Sequence, residues 1–171
     1  MAARLQFHAR IDPGDRNRLW YRFYARHRRR IYGLCLWMLA DTETAIRLAQ
    51  SVFIRCLRLV RNGLSPRELE AQLDRCVVAR LRARTMDASR LRRLPAEAAG
   101  QACLLDEALP QTRLLAALQS LPPEPRLLLL LHDWQGYASE KVADLMGMET
   151  VRCRQSIFQA RLRLRAQLLH N

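Results

Sequence analysis

A chain of 171 residues fits one ordinary domain or two very small ones, and with half its residues hydrophobic it can bury a core, which excludes a disordered chain. Its 29 basic and 16 acidic residues leave a formal net charge of +13. Positive charge on that scale repels itself and is usually held because a polyanion or an anionic surface compensates it.

Lys141 is the only lysine, so nearly all the positive charge is arginine, whose planar fork suits phosphate and base-edge recognition. A GC-rich genome would explain the Arg-for-Lys exchange, but not the net charge. The first 16 residues lack the uninterrupted apolar run of a signal peptide. "LLLLLHDW" (127–134) is too short to span a bilayer, so the expectation is a soluble, intracellular protein without membrane insertion.

In chain order the pattern is helical throughout. "RLWYRFYARHRRRIYGLCLWMLAD" sets Leu19, Phe23, Ile31, Leu34 and Met38 at helical spacing, with arginines on the other side. A second helix, capped by Asp41 or Thr42, carries a broad apolar stripe of Ala45, Leu48, Ala49, Val52, Phe53, Cys56 and Leu59. "RNGLSP" (61–66) is a turn by its Asn-Gly and Pro content. Ser65 then opens a third helix, with Pro66 at its first position and Glu68 at capping-box spacing. From about Thr85 to Gln111, Pro95, Gly100 and Pro110 break an alanine-rich segment that reads as a linker with one short helical piece. The predicted fold class is all-α: two small helical modules, 1–94 and 112–171, joined by a linker at 95–111. Cys35, Cys56, Cys76, Cys103 and Cys153 are odd in number, with no CxxC or HxxxH pair nearby. They read as small buried hydrophobes in a reducing compartment, and no metal or cofactor is expected.

Around Gly147 the sequence has the local physics of a helix-turn-helix. Val142 and Met146 form the inner face of a short helix, Ala143 is small where two helices cross, and Gly147 stands where a tight turn favours a residue without Cβ. Met148 and Cys153 supply the inner face of the next helix. In this motif the second helix lies in the major groove, its N-terminal side chains reaching base edges. Here those are Arg152, Arg154, Gln155 and Ser156, with Gln159 a turn on; Arg and Gln can make bidentate contacts to guanine and adenine. Arg161, Arg163 and Arg165 lie further along, as phosphate contacts that position without specifying. A solvated basic face is the plain alternative.

"ALQSLPPEPRLLLLLHDWQGYASEKVADLMG" resembles the fourth conserved region of the extracytoplasmic-function (group IV) sigma factors of bacterial RNA polymerase, and "QARLRLR" is similar to the end of that region. "LWYRFYARHRRRIYGLCLWMLAD" followed by "AIRLAQSVFIRCLRLV" is similar to the second conserved region. The resemblance covers nearly the whole chain in the family's order, and is most specific in the C-terminal half. It implies a C-terminal module (112–171) reading the −35 promoter element through Arg152, Arg154, Gln155, Ser156 and Gln159. It also implies an N-terminal module (1–94) that binds the polymerase clamp helices and captures the unwound −10 strand. "RNGLSP" then corresponds to the loop receiving a flipped base, which involves Arg61, Asn62 and Ser65, and Arg75, Arg80, Arg82 and Arg84 hold the strand's backbone.

Against that pattern this chain departs at informative places. The family's "E-D-L-[IV]-Q-E" clamp-binding core is Ile46, Arg47, Leu48, Ala49, Gln50 and Ser51 here: Gln50 is kept, while the usual Asp and Glu have become Arg47 and Ser51. An arginine facing an arginine-bearing partner is repulsive. Glu68-Leu69 replaces Trp-Leu, Arg75 and Ala79 replace Asn and Asp, and Lys141 stands for the usual Glu of the turn motif. Two other functions fit these residues: a sigma-like decoy that sequesters an anti-sigma factor, and a helix-turn-helix regulator independent of polymerase. An anti-sigma factor is a further partner implied by the family. His8, His27, His132 and His170 lack Ser, Asp or Cys partners at meaningful spacing, and His132-Asp133 reads as a surface pair, so no enzymatic activity is expected.

Overall fold

The computed structural model describes residues 13–61, 64–86 and 110–170. The N-terminal residues, Asn62 and Gly63 of the turn, the linker's expected helical piece and Cys103 lie outside them, as does the side chain of Arg61. Every regular element among the described residues is helical.

Helix α1 runs Pro13–Leu39 and turns Phe23, Ile31, Leu34, Cys35 and Met38 inward. It ends at Ala40, whose φ of 52° breaks the helical path, and Asp41 then caps α2 (Thr42–Arg61). The Thr44 amide donates to Asp41 Oδ2 at 2.9 Å. The Thr44 hydroxyl first, then this amide bond, hold the carboxyl below its usual range. The expected stripe of α2 is the buried one, Leu59 being only half-buried.

Helix α3 (Pro66–Met86) starts on a formed capping box. The Ser65 amide donates to Glu68 Oε2 at 2.9 Å and the Glu68 amide to Ser65 Oγ at 3.3 Å, which gives two end amides a partner.

The C-terminal half contains α4 (Pro110–Ser120), α5 (Pro123–Leu129), a wider π-helical turn over Leu130–Trp134, α6 (Ser139–Met146) and α7 (Thr150–His170). The wide turn closes with the Gln135 amide donating to the Leu130 carbonyl, five residues back, at 2.9 Å.

The sequence expects two modules, and the structure packs both halves on one continuous apolar core. It runs from Ile31 and Leu34 of α1 and Leu69, Leu73 and Val77 of α3 through Leu127, Leu128 and Leu131 to Val142, Cys153 and Ile157. Burying part of each half's apolar surface against the other offsets the weakness of two very small cores.

Arg126 of α5 pins this junction. Its buried guanidinium donates to the carbonyls of Met38 (2.8 Å), Gln119 (2.7 Å) and Leu121 (2.8 Å), and so satisfies carbonyls at the ends of both α1 and α4. Gln119 Nε2 donates to the Trp37 carbonyl at 2.8 Å. The Trp134 indole rests on Gly33 of α1, so close that a Cβ there would fall 2.5 Å from the ring. Cys35, Cys56, Cys76 and Cys153 are free and buried, as expected; burial pushes the Cys35 thiol up to about 12.

Candidate nucleic-acid interface

The corner between α6 and α7 is built as its sequence dictates. Gly147 has φ 65° and ψ 42°, the left-handed region where a side chain is strained. The Gly147 amide donates to the Asp144 carbonyl (3.3 Å) and the Met148 amide to the Ala143 carbonyl (3.0 Å), the paired closure of a Schellman motif. Val142, Ala143 and Met146 of α6 are buried against Cys153, Ile157 and Ala160 of α7, and Met148 is half-buried between them.

That inner face fixes the outer one. Arg152, Arg154, Gln155 and Gln159 are exposed, and Ser156 is half-buried toward the core side. The Arg154 guanidinium pairs with Glu140 of α6, each more than half exposed. An exposed pair of this kind is weak and screened by water, so a phosphate or base can take its arginine. Arg152, Arg163 and Arg165 have no acidic partner among the described residues. Arg161 differs from the expected phosphate contact. Its Nε donates to Asp133 Oδ2 at 3.0 Å and a second nitrogen reaches Asp133 Oδ1, so a carboxylate already neutralises it. That bond first, with His132 adding to it, holds the Asp133 carboxyl below its usual range. The pair His132-Asp133 is thus the anchor of α7 on the wide turn.

The outer face of α7 also holds Val151 (64% exposed) and Phe158 (57% exposed), seven residues apart beside the arginines. The sequence reading passed over both. The signal was present: once Cys153, Ile157 and Ala160 are the inner positions, Val151 and Phe158 have only solvent to face.

In the N-terminal half the expected polymerase residues divide. Arg47 and Gln50 are exposed on α2, and Arg47 pairs with Glu43 one turn earlier, so an acid accompanies the arginine that replaced one. Ser51 instead faces α3: its hydroxyl accepts from Arg80 Nη1 at 2.8 Å and donates to the Leu48 carbonyl at 2.7 Å. Ser65, expected at the −10 strand, has its hydroxyl engaged with Glu68 at 2.6 Å.

Of the α3 arginines, Arg75, Arg80 and Arg84 are exposed and Arg82 is half-buried, with Arg75 and Arg82 on the side of α6. Arg82 Nη1 donates to the Met146 carbonyl at 2.9 Å, and Arg75 lies 3.9 Å from Asp144. Between them sits Asp74, only 4% exposed, which accepts from Arg30 Nη2 (2.9 Å), the Tyr137 hydroxyl (2.8 Å) and Lys141 Nζ (2.6 Å). Burial opposes its charge, but the Lys141 bond, the Arg30 charge and the Tyr137 bond together outweigh it and hold the carboxyl below its usual range. Lys141 Nζ also lies 3.6 Å from the Tyr137 ring centroid, a cation–π contact. Burial first, with the Asp74 charge and against the opposing charge of Arg30, pushes the Tyr137 hydroxyl well above its ordinary value, so it stays a donor. Among the described residues no group of His, Cys, Asp and Glu is placed to hold a metal ion, and no helix is long and apolar enough to cross a membrane.

Comparison with known proteins agrees with this geometry. The family profile "Sigma-70, region 4" matches residues 111–164, from the first turn of α4 into the last turns of α7. The ECF RNA polymerase sigma factor SigE of Mycolicibacterium smegmatis is 28% identical over 158 residues, 87% of this chain, and the chain spans 61% of that relative's length. The sigma factor RpoE of Bartonella quintana, solved with the anti-sigma factor NepR, shares the fold at a TM-score of 0.67 and 14% identity. That alignment covers 87% of this chain and 96% of the other. The Gly147-cornered helix pair therefore lies within the segment that matches sigma-70 region 4. The chain that carries it is similar over most of its length to an extracytoplasmic-function sigma factor.

Proposed function

We propose that this chain is a transcription initiation factor that brings RNA polymerase core to promoters in the bacterial cytoplasm and has no catalysis of its own. The observation that carries the reading is the exposed face of α7. Arg152, Arg154, Gln155 and Gln159 project from the first turns of a helix aimed by Gly147, the geometry that inserts into a major groove. Exposed Val151 and Phe158 suit thymine methyl groups beside those polar readers. Residues 112–171 take the −35 element in this reading, and residues 1–94 take the clamp helices and the −10 strand. On the clamp face Arg47 and Gln50 are the exposed candidates, and Glu43 supplies the acid nearest Arg47. Arg75, Arg80, Arg82 and Arg84 hold the strand. An anti-sigma factor is a further partner, as it is for the Bartonella relative.

The test pairs Arg152→Ala with Arg154→Ala and measures binding to promoter duplex and to core polymerase. Each change should weaken duplex binding by about 1–3 kcal/mol and leave core binding unchanged. Unchanged duplex affinity would remove α7 as the reading helix, and duplex binding without core binding would leave a polymerase-independent regulator.

A further inference from the structure

From Arg16 to Ala40 the chain contains no acidic residue, although seven arginines fall in that stretch. Two of them meet acids on α3: Arg26 lies 3.8 Å from Glu70 and Arg30 2.9 Å from Asp74. Arg18, Arg22, Arg28 and Arg29 are exposed on the outer face of α1, away from α3. They have no acidic partner among the described residues. Arg18 and Arg22 stand four residues apart, a spacing at which like charges work against the helix. An uncompensated face of this kind calls for a polyanion.

Amid these arginines Tyr21 is 72% exposed. The rings beside it have partners within the fold. Trp20 packs near Phe23 and Phe53, and Tyr24 meets Phe53 edge-on with ring centroids 4.9 Å apart. Tyr21 joins no ring pair among the described residues. Arg18, Tyr21, Ala25 and Arg28 follow the three-and-four spacing that keeps side chains on one helix face, and Arg22 and Arg29 flank that row. Ala25, one turn on from Tyr21, is small and exposed, so nothing bulky covers the ring from that side. An open ring set among arginines stacks a base and holds the phosphates beside it. A duplex, whose bases are already stacked, leaves the ring without a use. A membrane surface requires a broad apolar face, and the apolar face of α1 is turned into the core.

The register of the helices places this row. Arg26 opposite Glu70 and Arg30 opposite Asp74 show α1 and α3 running side by side in the same direction. One turn earlier Arg22 is level with Pro66, at the end of the turn proposed to receive the −10 strand. From Arg18 to Arg29 the row is about 16 Å long, room for about five stacked nucleotides. We propose that the outer face of α1 is a second track for single-stranded DNA, with Tyr21 as its stacking platform and Arg18, Arg22, Arg28 and Arg29 on the phosphates, and that it carries the strand onward from the turn. Its place beside the −10 strand rests on the sigma-factor reading above; the track itself rests on α1 alone.

The experiment uses the full-length chain, a labelled 12-nucleotide single-stranded DNA of mixed sequence and fluorescence anisotropy. Tyr21→Ala should weaken strand binding roughly 5- to 150-fold, the loss of one base stack, and Tyr21→Trp should bind at least as tightly as the native chain. Arg22→Ala with Arg29→Ala should lower the slope of log affinity against log salt by about 1.4, at about 0.7 per phosphate contact. These side chains are exposed, so the variants should melt as the native chain does, and Tyr21→Ala should keep native affinity for promoter duplex and for core polymerase. Native strand affinity in Tyr21→Ala overturns the platform, and an unchanged salt slope in the arginine pair overturns the track. Lost core binding with intact strand binding would make this a protein-docking face and overturn the proposal. Displacement of the strand by polyglutamate as readily as by unlabelled strand would do the same. If Tyr21-dependent strand binding is present but the native chain binds neither core polymerase nor promoter duplex, the sigma-factor reading has failed and the track stands.

Discussion

Replacing Arg126 with methionine keeps most of the apolar stem and removes every donor. Three backbone carbonyls, those of Met38, Gln119 and Leu121, then lose their partner at the junction of α1, α4 and α5. An orphaned buried acceptor costs about 1–3 kcal/mol, so three set a ceiling near 9 kcal/mol. Two effects reduce that sum. Water enters part of the site, and the variant no longer bears the strain of a buried cation, seen in the native chain in burial lowering the Arg126 pKa to about 10 and in its Nε having no partner. The net expectation is a loss of about 3–5 kcal/mol, near the middle of the sum for three orphaned acceptors. At about 2–4 °C per kcal/mol for a chain of this size, the melting midpoint should fall by roughly 10 °C, read by circular dichroism at 222 nm. A variant as stable as the native chain would show that these carbonyls are readily rehydrated, and the account of Arg126 as the pin of the two halves would be wrong.

Three further outcomes follow from the same structure. Gly147→Ala should cost about 1–2 kcal/mol through left-handed backbone strain alone, since a Cβ there meets nothing within 4 Å. Gly147→Asn should cost less, and equal midpoints for all three chains would show that the corner is not strained. Asp74 has a folded-state pKa below its unfolded value near 3.8, so its stabilisation is complete above that value and is lost as pH falls through the folded one. The stability gap between the native chain and Asp74→Asn should therefore shrink below about pH 4 in urea titrations, and a gap constant down to pH 2 would contradict the charge assignment. Burial raises the Cys35 and Cys56 thiols to about 12, so both should stay unlabelled by a maleimide at pH 7 until urea is added. Rapid native labelling, located by peptide mass spectrometry, would place them at the surface.

What could be read along the chain was what is encoded locally. Asp41 and the Ser65–Glu68 box satisfy amides within three residues of themselves, and Gly147 answers a backbone need at its own position. Once Cys153 is known to face inward, the periodicity of α7 assigns its outer arginines. The polar contacts between the halves had no such signature. Asp74 and Lys141 are 67 residues apart and Arg126 and Met38 are 88 apart, so no window of periodicity contains both partners. The pattern sets Arg30 among the arginines on the outer side of α1 and Arg82 among those expected to hold the −10 strand, yet each reaches toward the other half. Lys141, noted only as a departure from the family's usual acid, is explained by the buried carboxylate of Asp74 opposite it.

The seat of Trp134 on Gly33 has one more consequence. An indole ring held against the bare backbone of α1 sits in a place that exists only while the halves touch, and 44% of its surface already meets solvent. Its emission is thus a natural gauge of engagement, blue when docked and red when released. Gly33→Ala, which crowds the seat by a single methyl, would show how far the emission moves when the ring alone is displaced.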